Sequence, residues 1–149
     1  GILGGDAANQ RLEQMLHDAY PNARYNAATG LARQGDSRCS TVLLEMLDPQ
    51  AADAIKGETK ASNQEAKRLS VLVNGMRATE LLAERVPDVA SPELASLRAA
   101  VEKLTTAQIS HAVNLVAKET LSRIDSVTKD RAQKSKAKTS SEPATADSK

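Results

Sequence analysis

The side chains with the widest chemical range are few. His17 and His111 are the only histidines, Cys39 is the only cysteine, and no second Cys or His stands at metal-ligand spacing from any of them. A structural zinc site needs three or four such donors held at short, regular separations. The sequence therefore predicts no metal. Ser110-His111 is not a hydrolase pair, because adjacent residues on a helix point in different directions. The glycines between Gly30 and Gly35 follow no strand, so they do not form a phosphate-binding loop. Glu13, Glu45, Glu58, Glu80 and Glu84 are scattered among basic neighbours and read as ordinary surface charge, not as a catalytic pair. These residues predict no enzyme and no cofactor.

Cys39 alone cannot form an intrachain disulfide, and its place at the start of a helix reads as a small buried hydrophobe. The basic residues need a closer look. Arg11, Arg24, Arg33, Arg38, Lys56, Lys60, Lys67, Arg68 and Arg77 form a nucleic-acid stripe only if several share one face. Acidic residues are interspersed among them. Tyr20 and Tyr25 are the only aromatic residues available for base stacking. The formal charge of +1 conceals a division: residues 131–149 carry five basic and two acidic groups, which leaves residues 1–130 at −2. Residues 1–130 are thus not a basic module by composition.

The elements that position these residues are helical. The chain has 149 residues, no Phe or Trp, and a core that must come from Leu, Val, Ile, Met and many Ala, which suits closely packed helices. No apolar run is long enough to cross a membrane. Leu12, Met15, Leu16 and Ala19 form one stripe on a helix over about 8–19. Pro21 opens a second helix that runs to about Gln34, and Gly35-Asp36 stops it. A third helix, about 38–47, carries Val42, Leu43, Met46 and Leu47. After an irregular connection, a longer helix spans about 64–85, with Gly75 marking either close backbone packing or a gentle bend. Ser91-Pro92 starts a fifth, buried through Leu94, Leu97, Val101 and Leu104. Thr105 with Gln108 fits a capping box, so a sixth helix is expected from Thr105 or Thr106 to about Val127, with one continuous long helix as the alternative. Residues 131–149 lack large apolar side chains and are expected to form a flexible tail.

The run from Asn22 to Asp36 (NARYNAATGLARQGD), completed by Val42-Leu43-Leu44-Glu45-Met46-Leu47-Asp48, resembles a HEAT repeat of the short type found in the family related to phycobilisome-linker lyases. Leu12 to Asp18 resembles the second helix of a preceding repeat, at a separation near thirty residues. The resemblance covers residues 10–48. It implies an all-α fold: a HEAT-like α-solenoid or short helical-repeat array of about six helices. Residues 1–62 would form the repeat region, 63–130 the longer divergent helices that cap it, and 131–149 the tail. In that family the Pro and Arg of the run organise the turn and the contacts between repeats. Pro21 and Arg24 occupy those places, with Asp18 or Asp36 as the expected acceptor for Arg24.

The expected function is a non-catalytic scaffold for protein or peptide partners, contributed by a C-terminal fragment of a larger, cytoplasmic protein. Homo-oligomerisation through exposed repeat ends is compatible with it. Nucleic-acid binding is the alternative, and a chromophore-lyase-like accessory role the second alternative. Arg24, Tyr25, Arg33 and Arg38 are the expected exposed contacts along the repeat edge. Tyr25 discriminates: exposure favours an interface, burial a core role.

Overall fold

A computed structural model describes residues 2–140, with side chains described for 5–138. Among the described residues it is all-helical, with six α-helices and no strand. Helix α1 spans Ile2–Met15. It ends before the predicted Ala19 because Asp18 Oδ1 accepts the Tyr20 N–H at 2.8 Å and turns the chain. Tyr20 is extended, as a residue before proline prefers, and α2 (Pro21–Ala32) starts on Pro21. Gly35 then takes φ +77°, the left-handed conformation expected at a helix end.

Asp36 caps the following 3-10 turn, Ser37–Cys39, by accepting the Arg38 N–H at 3.0 Å. Helix α3 (Ser40–Met46) follows and buries Val42, Leu43 and Met46, as their spacing predicts. The irregular connection contains a 3-10 turn, Ala52–Ile55, with Ala54 buried. Helix α4 (Ala61–Arg85) is the long helix expected, although Ala66 is exposed and takes no part in its buried face.

Ser91 Oγ accepts the Leu94 N–H, and Pro92 opens α5 (Pro92–Leu104), whose four predicted apolar residues are all buried. Helix α6 departs from expectation at its start and in its length. It runs His111–Ser140. Thr105 donates its hydroxyl to Glu102 O at 2.7 Å and so finishes α5, and does not cap a new helix. The Asn114 amide donates to Leu104 O at 2.6 Å and Ala107 O at 3.0 Å, holding residues 105–110 as a loop. At the other end α6 continues past residue 131, where a flexible tail was expected. Ala, Lys, Gln and Arg all favour helix there, and Arg131 Nη1 donates to Ala83 O at 2.8 Å. The rest of that expected tail, 141–149, lies outside the described residues.

The helices form two rows. Helix α4 packs between α2 and α6 in one row, and α3 packs beside α5 in the other. Helix α1 packs on α2 at the open end. Arginines tie the first row together: Arg85, at the end of α4, donates to Arg33 O at the end of α2 (2.6 Å), as Arg131 of α6 does to Ala83 O of α4. Helices α2, α4 and α6 therefore run in the same direction. The core lies between the rows, in residues such as Leu31, Leu43, Leu72, Met76, Leu82 and Leu97. Gly75 resolves to close packing, since a Cβ there would stand 3.0 Å from Met46 Cβ.

Candidate functional site

Parallel packing of α2 and α4 turns two sequence periodicities into one groove. Asn22, Asn26, Thr29 and Arg33 recur at intervals of four, three and four along α2. Lys67, Ser70, Asn74, Arg77 and Leu81 recur at three and four along α4. Such spacing places each set on one helix face. The two faces border a groove of about 570 Å³, floored by Tyr25, Met46, Val71 and Ala78.

Among the described residues, no carboxylate lines the groove. Lys67 is already engaged, with Nζ donating to Lys56 O at 2.8 Å and lying 3.6 Å from Glu58. Arg33 and Arg77 are exposed, and neither guanidinium has an ion-pair partner among the described residues. The amides of Asn22, Asn26 and Asn74 are exposed as well. The wall thus offers two uncommitted cations, plus three amides that can each donate and accept.

The groove continues across α4. Ser70, Asn74 and Arg77 also border a depression of about 320 Å³ between α4 and α6, where Leu69, Val73, Val113 and Val116 supply apolar wall. Beyond it, Arg77 and Leu81 border a third hollow, in which Arg123 pairs with Glu80 at 2.7 Å. Arg77 stands where all three meet.

The four residues expected as exposed contacts separate. Arg33 lines the groove and is exposed, as expected. Tyr25 is only 5% exposed, and its hydroxyl donates to Glu45 Oε1 at 2.7 Å. Burial first, and then the Glu45 carboxylate, push that phenol well above its ordinary range. Arg24 is also withdrawn, its side chain 13% exposed. Its guanidinium donates to Asp18 O at 3.0 Å and to Glu45 and Asp53 at 2.7 Å each. Burial opposes its charge, but the two carboxylates outweigh burial and hold the group more firmly protonated. Both residues are therefore corrected to internal supports. The reason is physical: a charge taken out of water must be paired, and here two acids from outside α2 close over Arg24. The Asp18 expectation is met through its backbone carbonyl, while Asp36 serves Arg38 instead.

Arg38 is exposed but committed, pairing with Asp36 at 2.6 Å and Glu13 at 2.5 Å. Its hydrogen bond depresses the Asp36 pKa against the opposing effect of burial. Arg38 lies with Arg24 in a separate hollow of about 550 Å³ bordered by α1 and α3, so it does not join Arg33. Of the nine basic residues weighed as a stripe, only Arg33, Lys67 and Arg77 share the groove. Asn22 and Asn26 stand four apart on one face of α2, and Asn74 joins them only through the packing of α4.

Cys39 is fully buried, and burial together with the nearby Asp36 charge pushes its thiol up to about 12. His17 and His111 are exposed at separate places. Among the described residues, no three His, Cys, Asp or Glu side chains are grouped to hold a metal ion, and no helix is long and apolar enough to cross a membrane. Compared with known proteins, the chain matches no family model, no curated protein and no solved structure.

Proposed function

We propose that the chain is a HEAT-like helical-repeat module that binds another protein without catalysis, and that the groove between α2 and α4 receives the partner. The observation that carries this reading is the open, uncommitted polarity of that groove. Five functional groups, on Asn22, Asn26, Arg33, Asn74 and Arg77, face one cleft, while comparable residues on the other side, Arg24 and Arg38, are tied to internal acids. Exposed groups gathered on a framework of packed helices are the usual means by which stacked helix pairs hold peptides or helices. The two-row packing also supports the repeat reading, because each helix joins mainly to its neighbours in the stack.

Nucleic-acid binding is the second reading, favoured by the gathering of Arg33, Lys67 and Arg77. Two free cations release few counterions, so its affinity and salt dependence would both be small. Tyr25 is floor rather than platform, with its hydroxyl held by Glu45, which removes the aromatic surface that single strands use.

Site-specific photocrosslinking in the source cells tests the main reading. A photoreactive residue at Asn26 or Asn74 is expected to capture protein adducts that the same residue at Asp88, exposed beyond the end of α4, does not. Adducts of equal yield at all three positions, or nucleic acid in place of protein, would overturn it.

A further inference from the structure

The same groove specifies what kind of segment fits it, an inference that rests on the protein-binding reading. We propose that its occupant is an extended acidic peptide segment that carries an apolar side chain beside its carboxylates. The sign of the charge comes from the lining: among the described residues, Arg33 and Arg77 have no ion-pair partner and no carboxylate borders the cleft. An acidic side chain meets complementary charge along the cleft, whereas a basic one meets Arg33, Lys67 and Arg77 there, the carboxylates of Glu80 and Glu119 lying in the hollow beyond Arg77.

The backbone conformation follows from the amides. Asn22 and Asn26 on α2 face Asn74 on α4, and each presents a donor and an acceptor on the same carbon. A helix has already satisfied its interior backbone N–H and C=O groups, so only its side chains and ends are left to meet these amides. An extended chain has those groups free on both edges, so amide pairs can hold it by its main chain.

The apolar residue follows from continuity. Arg77, Asn74 and Ser70 belong both to the cleft and to the depression between α4 and α6. Leu69, Val73 and Val116 there are only partly buried, packed on the core from one side and open on the other. A Leu or Val two positions from an acid pinned at Arg77 would cover them. Side chains two apart along an extended segment share a face, so a carboxylate two positions from the apolar residue meets Arg77 while that residue covers the apolar wall.

Fluorescence anisotropy of the full chain tests this with four labelled probes. They are a Gly-flanked Asp-Glu-Leu-Glu-Asp peptide, its Lys-Lys-Leu-Lys-Lys counterpart, the acidic peptide with Leu replaced by Gly, and an oligothymidylate strand. The acidic Leu peptide is expected to bind best and the Lys peptide not at all. Replacing Leu by Gly should weaken binding about tenfold or more, as for the loss of one buried aliphatic side chain. Arg33→Glu and Arg77→Glu should each weaken it about tenfold or more, while Arg11→Glu on α1 should change nothing. Equal binding of the Lys peptide, no binding of the acidic peptide, or indifference to both groove variants overturns the inference. Tighter binding of oligothymidylate overturns it in favour of nucleic acid. Groove crosslinks to a protein that lacks an acidic segment would overturn this inference alone, whereas crosslinks lacking groove specificity remove the protein-binding reading too.

Discussion

The Tyr25 hydroxyl donates to Glu45 Oε1 at 2.7 Å, and the same oxygen accepts from Arg24. One carboxylate of α3 thus satisfies a buried phenol and a withdrawn guanidinium, both from α2. The arrangement fixes the floor of the groove while holding both residues away from partners.

Removing either end of this bond is expected to cost stability unequally. Tyr25→Phe deletes a donor and leaves Glu45 with Arg24, so the loss should be about 1.5 kcal/mol, the low end for a hydrogen bond to a charged group. Glu45→Ala leaves a buried phenol without its acceptor and Arg24 with Asp53 as its one carboxylate beside the Asp18 carbonyl, so about 3 kcal/mol is expected. Urea unfolding at constant m-value measures both. A smaller loss for Glu45→Ala than for Tyr25→Phe would contradict the assigned role of the carboxylate.

Gly35 and Gly57 separate the two costs of a left-handed glycine. Both have positive φ, +77° and +89°. A Cβ at Gly35 would stand 2.5 Å from Arg85 O, a backbone atom that Arg85 cannot swing aside, whereas nothing lies within 4 Å of one at Gly57. Gly57→Ala should therefore cost about 1 kcal/mol, the conformational penalty alone. Gly35→Ala should cost well over ~2 kcal/mol, since the α2–α4 junction must also open. Equal shifts in unfolding midpoint would show that the contact with Arg85 does not matter.

Two buried acids make stability fall in alkali. Burial raises the Cys39 thiol from 9.0 to about 12, and burial with Glu45 raises the Tyr25 phenol further above its ordinary 10.0. In each case the folded state keeps a proton that the unfolded chain gives up. Stability is therefore intact below the unfolded pKa and declines as pH rises above it, by about 1.4 kcal/mol per pH unit for each group. The Cys39 contribution starts near pH 9.0 and that of Tyr25 near 10.0. Cys39→Ala should flatten the fall between pH 9 and 10, and above pH 10 either Cys39→Ala or Tyr25→Phe should roughly halve the slope, in urea unfolding followed across that range. The same burial should make Cys39 inert to a thiol reagent until the chain is unfolded.

Elements set by local chemistry were legible in the sequence. Ser91-Pro92 with Leu94, Leu97, Val101 and Leu104 carries its cap, first turn and buried face in one short segment, and the structure places all three there. The start of α6 was not legible, because the decisive bonds come from Asn114, ten residues beyond Leu104 and seven beyond Ala107. Arg24 and Tyr25 were misplaced for the same reason. Their acids lie 20 to 29 residues away, and nothing local distinguishes an arginine that will meet them from one that faces water. Arg33 is exposed, yet its companions on α4 become neighbours only once the helices stack. A polar periodicity on one helix reads as a solvated face until a second such face lies beside it.

Gly30 and Gly75 both sit inside helices, and the same substitution at each should have opposite effects. Alanine gains about 1 kcal/mol over glycine in a helix interior. At Gly30 the new methyl meets Leu12 Cδ1 at 3.1 Å, the tip of a partly buried side chain that can rotate away, so Gly30→Ala should stabilise by up to about 1 kcal/mol. At Gly75 it meets Met46 Cβ at 3.0 Å and Met46 C at 3.4 Å, atoms fixed to the α3 backbone. Relief there requires α3 and α4 to separate, and overpacking of this kind costs about 1–3 kcal/mol, enough to outweigh the helix gain. Gly75→Ala is therefore expected to destabilise. Met46 also floors the groove, so the displacement should weaken capture of the acidic probe, while Gly30→Ala leaves it unchanged. Thermal unfolding and probe anisotropy on the two variants check both signs. Stabilisation by Gly75→Ala would mean that the contact between α3 and α4 is looser than the separation of Gly75 from Met46 requires.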